Sequence, residues 1–184
     1  KILEPQEDHH QIRGVERLSA AQAQLTHQTL HDPLTGLANR VLFGERLRIA
    51  VDRHRVHRRP FALVIVDLDD FKGINDRYGH TAGDLVLQAA GQRLRACVRA
   101  TDTVARLGGD EFVILLHQAD AAGAEATAQR VSAALARPFV LDGLSFTVTC
   151  SIGIALHPQD GATMDELLRH ADKAMYRVKD GGRA

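Results

Sequence analysis

Between two strand-like runs, residues 103–106 and 112–116, the chain reads Leu107-Gly108-Gly109-Asp110-Glu111. Adjacent glycines permit a positive-φ turn and let a ligand approach the backbone, while the two carboxylates that open the next strand can face a metal ion or a reacting hydroxyl. A turn that only reverses the chain does not need a glutamate after its aspartate. A second run carries the same kind of chemistry: six apolar residues, Phe61 to Val66, stop abruptly at Asp67-Leu68-Asp69-Asp70. A carboxylate at the end of a buried strand is costly unless it is paired, solvated or metal-bound. If the two strands are sheet neighbours, Asp67 and Asp110 converge on one cation.

The elements that must hold these acids are legible as periodicities. Asp32 followed by Pro33 reads as an N-cap with Pro at the first helical position, and Asn39 as the cap of a helix with Phe43, Leu47 and Ala50 on one face. The strand at 61–67 leads to a helix over about 82–98 with the stripe Leu87, Ala90, Leu94 and Cys97. The glycine hairpin follows, then a helix over about 121–136 that Pro138 ends. Residues 139–141, the turn Asp142-Gly143 and residues 144–155 read as another hairpin, and a last helix aligns Met164, Leu168, Ala171, Met175 and Val178. The expected fold class is α+β. It is a ferredoxin-like βαββαβ antiparallel sheet with helices packed on it, plus an extra N-terminal helix and an additional hairpin strand.

Composition narrows the function. The chain has 184 residues, enough for one domain with a full core, and its 45% hydrophobic and 25% charged residues are those of an ordinary globular protein. Lys plus Arg equals Asp plus Glu at 23 each, so no global basic field draws the chain onto nucleic acid or an anionic membrane. Aromatic residues are only 4%, which argues against an RNA-binding module that stacks bases on an exposed sheet of the same topology. Cys97 and Cys150 stand far apart without metal-ligand spacing and read as buried core thiols. No run approaches the roughly 20 apolar residues of a bilayer span, and the first ten residues lack a signal-peptide core. The expectation is a cytoplasmic segment without direct membrane insertion, whose parent chain is free to be membrane-anchored.

Three stretches together, Asp32-Pro33-Leu34-Thr35-Gly36-Leu37-Ala38-Asn39-Arg40, residues 67–80 and Gly108 to Phe112, resemble the signatures of the GGDEF family of diguanylate cyclases, in its order and with its spacings. The resemblance places a cyclase domain over 32–184. Residues 1–31 are left as a linker helix, either solvated or the end of a coiled-coil connector from an upstream sensory domain; its weak seam holds Val15, Leu18 and Leu25.

The resemblance also implies roles. Asp67, the carbonyl of Leu68 and Asp110 become ligands of Mg²⁺ or Mn²⁺, and Glu111 either joins a second metal or helps deprotonate a ribose 3′-hydroxyl. Phe71, Lys72 and Gly73 sit where the family wraps a loop around a triphosphate, and Gly108 and Gly109 also join the substrate-binding set. Lys179 and Arg183 match cations that reach the phosphates, although Lys and Gly also close a helix by ordinary physics. Asn75 and Asp84 match the guanine-reading positions, which implies GTP. Arg99 and Asp102, with Arg130 on the next helix, match a product-binding inhibitory site. The implied partners are GTP, cyclic di-GMP as product and inhibitor, and a second copy of the chain in a homodimer. A catalytically weak domain serving as a cyclic di-GMP receptor is the other outcome the same residues allow. The cluster of cations and histidines over 53–59 reads as a solvated helix end.

Overall fold

The computed structural model describes residues 29–141 and 143–181. Its centre is β1, Phe61–Leu68, buried on both faces as a continuous apolar run predicts. β1 pairs antiparallel with β3, Glu111–His117, on one side and with β6, Cys150–His157, on the other, and β2, Thr103–Gly108, adds to the outside of β3. The sheet order β2-β3-β1-β6 is the ferredoxin-like arrangement.

Alternation along β1 decides which helix covers which face. Val64 and Val66 belong to one core with Leu87 and Leu94 of α3, His80–Ala96, and Val131 and Leu135 of α4, Ala121–Leu135. Leu63 and Ile65 belong to the other, with Phe43 and Leu47 of α1, Arg40–His57, and Leu167, Ala171 and Met175 of α5, Met164–Gly181. Each such aliphatic side chain, fully buried, contributes about 1.5–3 kcal/mol. Helices on both faces make three layers, so β1 has no polar side to spare until Asp67.

Four expectations change in detail. Pro33 does not open a helix: residues 33–35 form a turn, in which Asp32 Oδ1 accepts from the Thr35 amide (2.9 Å) and hydroxyl (2.6 Å). The helix begins at Arg40, where Asn39 Oδ1 accepts from the amides of Val41 and Leu42. The phosphate loop expected at Phe71, Lys72 and Gly73 is instead the start of a short helix, α2, Phe71–Tyr78. Asp70 turns the chain into it with φ 52°, Phe71 anchors it in the core, and Gly79 (φ 84°) separates it from α3. The single strand expected over 144–155 divides: β5, Leu144–Phe146, forms a separate ribbon with β4, Phe139–Leu141, and β6 joins the main sheet. The thiols are half-buried, and burial pushes Cys150 up to about 12, with Asp69 adding to the effect.

A parallel bridge between Ala38 and Ala105, with the Arg106 amide donating to the Ala38 carbonyl (2.9 Å), lays the segment before α1 along the outer edge of β2. The proposed linker over 1–31 lies outside the described residues except for its last three.

Candidate active site

The strand register brings the acids together. Asp67 is the cross-strand partner of Glu111, and the Leu68 amide donates to the Asp110 carbonyl at 3.3 Å. Gly108 and Gly109 take φ values of 149° and 52° at an irregularity in the β2–β3 ladder, with open space where a side chain would stand. The glycines are therefore required by backbone conformation, and the tip is accessible to a ligand.

One guanidinium holds that tip. Arg106 donates through Nε (2.9 Å) and Nη2 (2.7 Å) to the Gly109 carbonyl, and through Nη1 to both carboxylate oxygens of Asp32 at 3.1 and 3.2 Å. Both side chains of this pair are largely buried, 13% and 17% exposed. Burial alone would raise the Asp32 pKa; hydrogen bonds from Thr35 and Arg106 outweigh it and hold the carboxyl below its ordinary value. Sequence reading took Asp32 for a helix cap and gave Arg106 no role, because no spacing rule pairs residues 74 apart.

Burial raises the Glu111 pKa, and the negative charges of Asp172, Asp67 and Asp110 add to it against the pull of Arg40. Asp172, on α5, is an acid of this corner that the sequence reading missed, since nothing in its local pattern marks it. Hard oxygen donors in a field of crowded negative charge suit a divalent cation. Among the described residues, no three His, Cys, Asp or Glu side chains gather tightly enough to hold an ion by themselves. That donor set fits Mg²⁺, which is commonly held by one or two carboxylates together with substrate phosphates.

The remaining predicted residues are spread around this corner and beyond it. Phe71 is only 9% exposed and packs in the core, so its backbone alone can meet a ligand, while Lys72 is exposed beside it. Asn75 reaches across the helix pair: a Cβ on Gly83 would lie 2.0 Å from its Oδ1, so this glycine admits the amide next to the exposed Asp84. Lys179 belongs to the last turns of α5, and Arg183 is outside the described residues.

Far from the tip, Asp102 closes its own turn. Its Oδ2 accepts from the Arg99 amide and its Oδ1 from the His117 amide, both at 3.0 Å. Arg99 lines two adjoining grooves, of about 510 and 430 Å³, the first with Arg46 and Arg95 and the second with Arg46, Arg53 and Arg59. Of the cluster over 53–59, Arg53 and Arg59 thus face a groove. Arg130 donates to Thr127 Oγ1 (2.8 Å) and the Cys97 carbonyl (3.4 Å), and it lines a separate cavity with Arg93, Cys97 and Arg137. The structure brings Arg99 and Asp102 together and leaves Arg130 in the next cavity.

The family model described as diguanylate cyclase, GGDEF domain, matches residues 29–184. The bifunctional diguanylate cyclase/cyclic di-GMP phosphodiesterase MucR of Pseudomonas aeruginosa is 45% identical over 166 residues, 90% of this chain and 24% of MucR. The chain thus spans about a quarter of that relative. A solved structure of the GGDEF domain of TpbB, also from Pseudomonas aeruginosa, has a TM-score of 0.79 and 44% identity, covering 82% of this chain and 89% of that one. The coiled coil and GGDEF domain of DgcB from Caulobacter crescentus, solved in complex with c-di-GMP, has a TM-score of 0.86 and 27% identity, covering 95% of this chain and 93% of that one.

Proposed function

Because the chain belongs to the GGDEF family of diguanylate cyclases, we propose that it condenses two GTP molecules into cyclic di-GMP and releases two pyrophosphates. The observation that carries this is the Asp67–Glu111 register beside the glycine tip, which sets acidic oxygens at an open backbone turn. Asp67, the Leu68 carbonyl, Asp110 and Glu111 would hold Mg²⁺ or Mn²⁺. When bound, the cation stabilises charge on the phosphoryl oxygens as the bond to pyrophosphate breaks.

The chain's own residues do the positioning. The first turn of α2, with Lys72, and the glycine tip, with Gly108 and Gly109, take the triphosphate, and Lys179 and Arg183 add positive charge to it. Asn75 and Asp84 read the guanine, the amide donating and accepting and the carboxylate accepting from ring protons. Glu111 is assigned to the cation or to the proton of the attacking 3′-hydroxyl. A Glu111→Gln variant that keeps Mn²⁺ binding and loses turnover selects the second role.

One site holds one nucleotide, so each 3′-hydroxyl attacks the α-phosphate held by the facing protomer of a two-fold homodimer. Arg99 and Asp102, with Arg130 contributing from its neighbouring cavity, are proposed to bind product and inhibit; the c-di-GMP complex of DgcB supports this. That comparison includes a coiled coil, which supports a connector over residues 1–31 from an upstream sensory domain. The arginine-lined grooves around Arg99 also favour a second reading, a receptor that binds cyclic di-GMP with little turnover.

Incubation with GTP and Mg²⁺ at several protein concentrations, with chromatography and mass detection, separates the two. Cyclic di-GMP that forms with the chain and is lost in Asp110→Ala supports the cyclase. Unchanged GTP with bound cyclic di-GMP supports the receptor.

A further inference from the structure

Asp69 stands between the two halves of the proposed site and belongs to neither. It follows Leu68, the last residue of β1, and precedes Asp70, whose positive φ starts α2. Both of its carboxylate oxygens are taken by hydroxyls at the start of β6: Thr149, just before the strand, donates through Oγ1 to Oδ2, and Ser151, in it, through Oγ to Oδ1, each at 2.7 Å. Its amide donates to the Thr149 carbonyl at 2.9 Å. Ser151 is only 5% exposed and is the β6 partner of Asp67 in the sheet register.

These bonds do what the sheet ladder no longer does. The β1–β6 register ends at Leu68 opposite Cys150, and one residue later the strands are held by charge-assisted side-chain bonds and one amide. Such O–H···O⁻ bonds are short and about twice as strong as neutral ones. Another carboxylate beside Asp67, Asp110 and Glu111 would add repulsion to an acidic corner. With both oxygens committed to hydroxyls, it acts there as a fastening.

We propose that Asp69 is a positioning residue that ties the end of β1 to β6 through Thr149 and Ser151. It thereby fixes the Leu68 carbonyl toward the cation and the first turn of α2 toward the nucleotide phosphates. The proposal rests on the cyclase reading for the identity of what is positioned. Groups that orient ligands from behind typically change metal affinity or activity by about 10–100-fold when removed. The same size of effect is expected here.

The test measures Mn²⁺ binding by electron paramagnetic resonance in the presence of α,β-methylene-GTP, alongside turnover and thermal unfolding, for Asp69→Ala, Asp69→Asn, Thr149→Val and Ser151→Ala. Asp69→Ala and the Thr149→Val/Ser151→Ala pair are expected to weaken Mn²⁺ binding about tenfold or more. Combining all three should do little further harm. Asp69→Asn, whose amide can accept from one hydroxyl and donate to the other but without the charge, should bind more tightly than Asp69→Ala and more weakly than the wild type. Asparagine as damaging as alanine would overturn the proposal, since hydrogen bonds to Thr149 and Ser151 would then not be what positions the site. Wild-type binding in the folded Thr149→Val/Ser151→Ala variant would overturn it too, and that variant decides the matter if Asp69→Ala does not fold. A wild-type chain that binds the pair but makes no cyclic di-GMP defeats the cyclase reading, while the variant comparison still judges Asp69. A wild-type chain that binds neither defeats both.

Discussion

Arg106 satisfies two acceptors that would otherwise compete for different partners: the tip carbonyl of Gly109 and the carboxylate of Asp32. Removing it as Arg106→Ala leaves a largely buried carboxylate without its cation, and a loss of about 2 kcal/mol is expected in urea denaturation at neutral pH. The pH dependence has a definite sign. With its pKa held below the ordinary 3.8, Asp32 binds a proton less readily in the folded protein than in the unfolded chain. Its contribution is complete above the unfolded pKa and falls away as pH drops through the folded one. The stability difference between the wild type and Asp32→Asn should therefore hold constant above about pH 5 and shrink below about pH 4. A difference that persists unchanged into that acid range would mean the carboxylate's charge contributes nothing.

At the level of elements, the sequence was most informative where one strand had to satisfy two neighbours. The unbroken apolar run of β1 marked a central strand, and the acids at its end marked the corner for which the chemistry is proposed. The pairing of Asp67 with Glu111 follows from register, which two isolated strand patterns do not specify. The helix α2 was hidden because eight residues are too few for a clear period, and its entry depends on Asp70 adopting a conformation most residues avoid. Asp69 was read as one acid among three, and its partners lie 80 and 82 residues away. Contact between α5 and β6 is similarly invisible in sequence. A Cβ on Gly153 would stand 1.9 Å from the Ala171 carbonyl, so the two backbones meet where only a glycine fits. Gly153→Ala must push α5 outward and should lower stability by at least about 1–3 kcal/mol in thermal or urea unfolding. Since Asp172 follows Ala171, the same variant should also disturb the acidic corner. A variant as stable as the wild type would show that the helix can shift at little cost.

For the whole molecule, the proposed chemistry needs two copies facing one another. Product formed per unit of protein should rise with protein concentration and level off once the dimer dominates, a dependence that initial-rate measurements over a wide dilution series would reveal. A rate strictly proportional to protein from the most dilute samples upward would argue for turnover by a single copy. The segment before α1 that lies along β2, bridged from Ala38 to Ala105, has a bearing on this requirement. An exposed sheet edge offers any second copy a ready template for strand addition, and such unions grow into aggregates instead of closing into pairs. Where Ala38 meets Ala105 the chain's own residues take that place on the β2 edge, so a second copy has no free strand template there and the proposed pairing has to use other surfaces.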